Sequence, residues 1–310
     1  MTSNPQKQKT FFSSKFPFGT ALSRVRPFVG VGLLIAIVIF LVERESLPLN
    51  IDNPLFALSV AILIAVNFLH ARVLIIIATS FKSRLSHKDA FHLSALGTLG
   101  NSLGGLPLGV TLKYAVLYKR CGLKILQITG GFAISTIIIT IALFFFAMVS
   151  VWFTALPLAT KLTPTTLLLL AISISALLHF ILRNRPFYRD NIGVFLRPSI
   201  FSQTLLTNCA IASLLVLNGW LLGSLLYPEI ENSKLIFTTA MGLAGGLASL
   251  MQSVGGIHEI AMGVTAHYSG LVLVDGLKLG LAMRMSSIIA ATISVGFLYL
   301  FLRKKSSPTK

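Results

Sequence analysis

Residues 93–112 read LSALGTLGNSLGGLPLGVTL. The stretch is apolar and about as long as the roughly 20 residues a helix needs to cross a bilayer. Yet Gly97, Gly100, Gly104, Gly105, Pro107 and Gly109 interrupt it. A second stretch, residues 235–274, is broken in the same way by Gly242, Gly245, Gly246, Gly255, Gly256, Gly263 and Gly270. Interrupted backbone survives at membrane depth only where protein buries it or where it lines a wet cavity. Both stretches therefore predict re-entrant or discontinuous helical hairpins, each enclosed by complete spans.

Working outward, uninterrupted apolar runs lie at residues 28–42, 55–81, 126–153, 164–182, 200–227 and 277–302. The 310 residues are 55% hydrophobic and only 11% charged, where soluble domains carry about 25% charge; the mean hydropathy is +0.84. No water-soluble fold hides that much apolar surface. The expected fold is all-α: a polytopic transmembrane helical bundle of six full spans plus two glycine-broken hairpins. Residues 1–27 form a basic segment, 28–302 a single transmembrane domain, and 303–310 a basic tail. Glu43-Arg44-Glu45 follows the first apolar run where a signal peptide would show small residues, so that run is expected to be a retained anchor.

The 26 Lys and Arg against 9 Asp and Glu give a net charge of +17. In a soluble protein this would suggest nucleic acid; here topology accounts for it. If both broken stretches return to the side they left, 20 of the 26 cations fall on one side, with both termini. Six of the nine acids, Glu43, Glu45, Asp52, Glu229, Glu231 and Asp275, fall on the other. By the positive-inside rule the basic side is cytoplasmic. No nucleic-acid partner is implied, and Cys121 and Cys209 are too few and too embedded for a disulfide framework.

The charges that topology does not explain are few. Arg72 sits within a span, and a buried arginine costs about 2.5–3.5 kcal/mol on insertion scales unless it finds a partner or water. Glu259 is the one acid expected at depth, and Arg284 lies inside the last span. A Glu259–Arg284 or a Glu259–Arg72 ion pair would neutralise both groups, either to fix helix packing or within a polar pathway. Lys113 ends the first broken stretch. There, glycine-rich backbone beside a cation can receive a phosphate, although a positive-inside loop needs no ligand.

Catalytic chemistry is not marked. His258-Glu259-Ile260-Ala261-Met262 begins like a zinc-protease helix but has Met where the second histidine should stand. The remaining histidines lack ligand spacing, and no phosphate-binding loop or dinucleotide fold is present. No cofactor or metal is expected, and nothing points to an enzyme.

Three motifs together have a familiar order: Phe68-Leu69-His70-Ala71-Arg72, then residues 100–124 with Asn101, Pro107, Gly109 and Lys113 before a basic loop, then Gly255-Gly256-Ile257-His258-Glu259 ahead of a span with Arg284. The chain resembles the membrane domain of bacterial lysylphosphatidylglycerol synthases and their free-standing, flippase-like relatives, over about residues 28–302. It departs from that pattern at Val254, which replaces a proline, and in having no acid at Phe132-Ala133-Ile134-Ser135-Thr136. The resemblance implies an inner-membrane lipid transporter that moves an anionic or lipid-linked amphiphile between leaflets. Its lipid-binding residues would be Arg72, Asn101, Lys113, Gly255, Gly256, Glu259 and Arg284. The implied partners are membrane lipids, anionic or polyprenyl-linked. Two alternatives stay open: a membrane-embedded enzyme using Glu259 and His258 on a lipid headgroup, and a non-catalytic subunit partnering a lipid-modifying enzyme.

Overall fold

The computed structural model describes residues 53–102, 108–154, 156–248 and 256–303. The anchor expected at residues 28–42 lies outside them, as do the two basic terminal segments. Among the described residues the chain is all helical, with ten α-helices.

Five of these are long and apolar enough to cross a membrane. They are α1 (Pro54–Ser80), α4 (Ile125–Trp152), α5 (Leu158–Leu182), α7 (Pro198–Leu226) and α10 (Leu273–Arg303). The first broken stretch forms two half-length helices, α2 (His87–Ser102) and α3 (Leu108–Lys119). The second forms α8 (Asn232–Ala248) and α9 (Ile257–Tyr268). A short helix, α6 (Pro186–Asn191), and a 3₁₀ turn at Gly193–Leu196 join α5 to α7.

Local chemistry sets the ends. The Asn53 side chain accepts the Leu55 amide at 2.9 Å and Pro54 occupies the first turn of α1, where its missing N–H costs nothing. Pro198 and Pro186 open α7 and α6 in the same way. Two helices begin earlier than hydropathy predicts. α5 starts six residues before Pro164 and carries that proline inside it. α10 takes Asp275 into its first turn, where the partial positive charge of the helix N-terminus favours an acid.

Each hairpin returns to the end it left. At one end Ser83 Oγ donates to the Cys121 carbonyl at 2.9 Å, joining the loop before α2 to the loop after α3. Phe81 packs edge-on against Phe195, with ring centroids 5.6 Å apart. A Cβ on Gly130 of α4 would lie 2.9 Å from the Asn191 carbonyl. The basic loops around residues 82–88, 119–124 and 183–197 thus share one end of the bundle. At the opposite end the Tyr227 hydroxyl donates to the Asp275 carbonyl at 3.3 Å. Thr238 and Ser269 hydroxyls lie 3.0 Å apart, closing the second hairpin.

Eight of the helices fall into two units of similar lengths. α1, α2, α3 and α4 have 27, 16, 12 and 28 residues; α7, α8, α9 and α10 have 29, 17, 12 and 31. The packing pairs also exchange: α2 lies on α10 as α8 lies on α4, and α1 packs against α7. Since α7 starts at the end where α1 finishes, the two units run in opposite directions through the bundle. This is the inverted-repeat arrangement of many transporters.

Lipid tails are as apolar as leucine, so helices in a membrane associate through close packing and buried polar contacts. Ser59 Oγ donates to Asn218 Oδ1 at 2.6 Å across the α1–α7 interface, with both residues buried. Asn208 of α7 donates to the Thr204 carbonyl at 2.8 Å and to Ser135 Oγ of α4 at 3.4 Å.

Candidate functional site

The two hairpin breaks meet at Arg284. Glu259 stands third in α9, in the first turn, where the helix dipole favours a carboxylate. Its side chain is fully buried, and that of Arg284 is 11% exposed. Arg284 Nη2 donates to Glu259 Oε2 at 3.0 Å and Nε donates to Oε1, giving a two-pronged pair. Arg284 Nη1 donates to the Ser102 carbonyl at 3.1 Å, at the last residue of α2. The guanidinium therefore joins the end of one half-helix to the start of another from the opposite hairpin. Both partners suit a cation: a carboxylate, and a carbonyl at the negative end of a helix.

Close backbone packing makes this reach possible. A Cβ on Gly280, one turn before Arg284 in α10, would lie 2.9 Å from Glu259 Cα. One on Gly276 would run into the Met262 carbonyl. These two glycines let α9 lie directly against α10. Gly256 precedes α9 with φ of +90°, a left-handed conformation that costs residues with a Cβ. The adjoining Gly255 lies outside the described residues.

The first hairpin is drawn together similarly. A Cβ on Gly109 would strike the Gly97 carbonyl, so α2 and α3 touch backbone to backbone. Asn101 Oδ1 accepts the Gly109 amide at 3.1 Å, giving one of the unpaired N–H groups at the start of α3 a partner. Expected as a lipid contact, Asn101 thus has a structural task on its oxygen. Lys113 is not at the end of the hairpin beside the basic loop. It lies midway along α3, with Nζ 3.3 Å from where a Cβ on Gly97 would sit and His70 of α1 within electrostatic reach. Ser102 stands five positions after Gly97 in α2, so Lys113 and Arg284 meet that helix about 7.5 Å apart along its axis.

Arg72 is not brought to this centre. Its neighbours Ala71 and Val73 are buried, while Arg72 is exposed and has no hydrogen bond or ion pair among the described residues. Of the two pairings open to Glu259, the structure has Arg284. Several contributors carry little signal in sequence. Ser102 acts through its carbonyl, which any residue would supply. Asn67, buried in α1 and accepting from Thr98 Oγ1 at 2.8 Å, was visible as a polar residue inside an apolar run. Gly280 lies four residues before Arg284, and that spacing could have marked the face turned to α9.

Along α9 runs an apolar groove of about 760 Å³, between α4, α5, α8 and α9. Ile257, Ile260, Ala261 and Val264 of α9 line it together with Phe144 and Met241. Glu259 is thus flanked in sequence by groove-lining residues while its own carboxylate is held by α10. Among the described residues no cluster of His, Cys, Asp or Glu could hold a metal ion. Compared with protein-family models, curated proteins and solved structures, the chain matches none.

Proposed function

We propose that this chain is a flippase-like lipid transporter of a bacterial inner membrane, moving an anionic or lipid-linked amphiphile between leaflets. The observation that carries the reading is the meeting of two half-helix breaks from opposite ends at one buried ion pair. Transporters built from inverted repeats place their substrate sites at such discontinuities. The apolar groove along α9 suits an acyl chain, and Lys113, held against the glycine-rich crossing of α2 and α3, suits a headgroup phosphate. Glu259 and Arg284 balance charge between them. Arg72 offers a second cation on the lipid-facing surface of α1. The resemblance to the membrane domain of lysylphosphatidylglycerol synthases supports the same reading, with the basic end and both termini in the cytoplasm.

The test is transbilayer movement of fluorescent phosphatidylglycerol in vesicles reconstituted with the purified chain, read by quenching of outer-leaflet label. Lys113→Ala and Glu259→Ala are each expected to abolish movement while the protein stays monodisperse. Unchanged movement in both variants refutes the site assignment. Recovery of a chemically altered lipid would instead make the protein an enzyme acting on the headgroup. Reaction of Cys121 with a membrane-impermeant thiol reagent in intact cells would reverse the orientation.

A further inference from the structure

A second groove, of about 830 Å³, lies on another face of the bundle, between α4, α5 and α7. That volume falls within the roughly 300–1,000 Å³ typical of small-molecule sites. α5 packs chiefly on α4 and leaves most of its apolar side chains exposed. Ile137, Ile141, Phe145, Ile172, Leu178 and Leu205 make the groove almost wholly apolar. Polarity enters at the basic end, where the lining residues His179 and Tyr188 are hydrogen-bonded, Nδ1 to hydroxyl, at 2.9 Å.

The rim at that end is cationic. Leu182, Tyr188 and Leu196 line the groove, and Arg183, Arg189 and Arg197 follow them directly. Arg185 lies in the same connection. Arg189 has a neighbouring carboxylate, Asp190, at 3.6 Å. Arg183, Arg185 and Arg197 are exposed and have no carboxylate partner among the described residues. Arginine presents a planar fork suited to phosphate oxygens, and basic pockets between transmembrane helices bind anionic phospholipid headgroups.

We infer that this groove holds a resident anionic phospholipid from the leaflet at the basic end, its phosphate on Arg183, Arg185 and Arg197 and an acyl chain between α5 and α7. The site is separate from the Glu259–Arg284 centre and does not depend on lipid movement through it.

The experiment uses the full chain, stripped of lipid by detergent exchange and titrated with phosphatidylglycerol or with phosphatidylcholine carrying the same acyl chains. Retained lipid is read by native mass spectrometry. Phosphatidylglycerol is expected to be retained preferentially. Each juxtamembrane cation contributes about a fivefold preference, so R183Q/R185Q/R197Q should lower it on the order of a hundredfold. The single variants, which preserve most of the surface charge, should each lower it about fivefold. Ile172→Trp, which fills the groove, should reduce retention of both lipids. K88Q/K119Q/K124Q removes the same charge from the other basic loops and should leave the preference in place. Equal retention of the two lipids overturns the inference. So does a preference that survives the three arginine substitutions, or one that the lysine substitutions reduce equally.

Discussion

If Arg284 is what unites the two hairpins, removing both members of the pair must cost less than the sum of removing each. Arg284→Met deletes the donors to Glu259 Oε1 and Oε2 and to the Ser102 carbonyl, and leaves a fully buried carboxylate. Glu259→Gln keeps the shape but removes the negative charge, leaving a guanidinium that is only 11% exposed with neutral oxygens alone, the glutamine amide and the Ser102 carbonyl, to face it. Breaking a buried pair from one side costs about 3–5 kcal/mol, so independent effects would sum to about 6–10 kcal/mol. In E259Q/R284M neither charge remains to be desolvated. What is lost is chiefly the hydrogen bond to Ser102, about 1.5–3 kcal/mol for a charged donor. The expected coupling is therefore at least about 3 kcal/mol. Unfolding in mixed detergent micelles, followed by tryptophan fluorescence, measures it. Trp220 is well placed, because its indole N–H donates to Asn232 at 2.9 Å, where the second hairpin begins. A double variant destabilised by the full sum of the singles would refute the view that these residues act as one unit.

Gly256→Ala forces a Cβ into a φ of +90° and is expected to cost about 1–2 kcal/mol, read as a lower thermal midpoint. Ser59→Ala removes the 2.6 Å hydrogen bond that joins α1 to α7. Interhelical hydrogen bonds in membranes average about 0.6 kcal/mol and reach about 1.7 kcal/mol, so a loss above that range by the same unfolding assay would mean Ser59 holds more than this one contact. The hairpins should also differ in mobility, because α3 buries only Gly109 and Leu117 whereas α9 buries Glu259, Met262, Gly263 and Ala266. Spin labels at Tyr118 and Ile137 should give a broader distance distribution than labels at Val264 and Ile293, and equal widths would count against that difference.

Hydropathy located α1, α4 and α7 to within a residue or two, because a long apolar run has one way to satisfy its backbone in lipid. The glycine-rich stretches were legible as breaks, and α2, α3, α8 and α9 stand where those breaks placed them. Less was legible where tertiary context decides. Pro164 reads as a helix start, yet α5 runs through it. Lys113 reads as the edge of a basic loop, since sequence shows its neighbours Lys119 and Arg120 but not Gly97 across the hairpin. Glu259 had two arginines to choose from, and the choice follows from helix faces. Arg284 shares a face with Gly280, which admits α9, whereas Arg72 stands between two residues that α1 turns inward. Ser102 could not be read at all, because its contribution is a carbonyl exposed by the end of a helix.

The two units match in helix length and packing order, but their ionisable groups do not. In the second unit Glu259 and Arg284 satisfy each other, and α9 is held along α10 by the close approaches at Gly276 and Gly280. In the first, Lys113 is a cation held by no acid among the described residues, and α3 packs only lightly on α4. A scaffold with matched halves can place a site at its centre without favouring either end. An unpaired cation on one hairpin only breaks that equality. An anionic headgroup would complete the charge of the first hairpin, whereas the second is already neutral. The same tie that neutralises the second hairpin reaches the first through Ser102, so movement of α2 away from α10 would open the third hydrogen bond of Arg284 while leaving its pair with Glu259 intact. Under the proposed transport function the second unit would serve as the fixed half, because the first carries both the cation without an acid partner among the described residues and the looser packing.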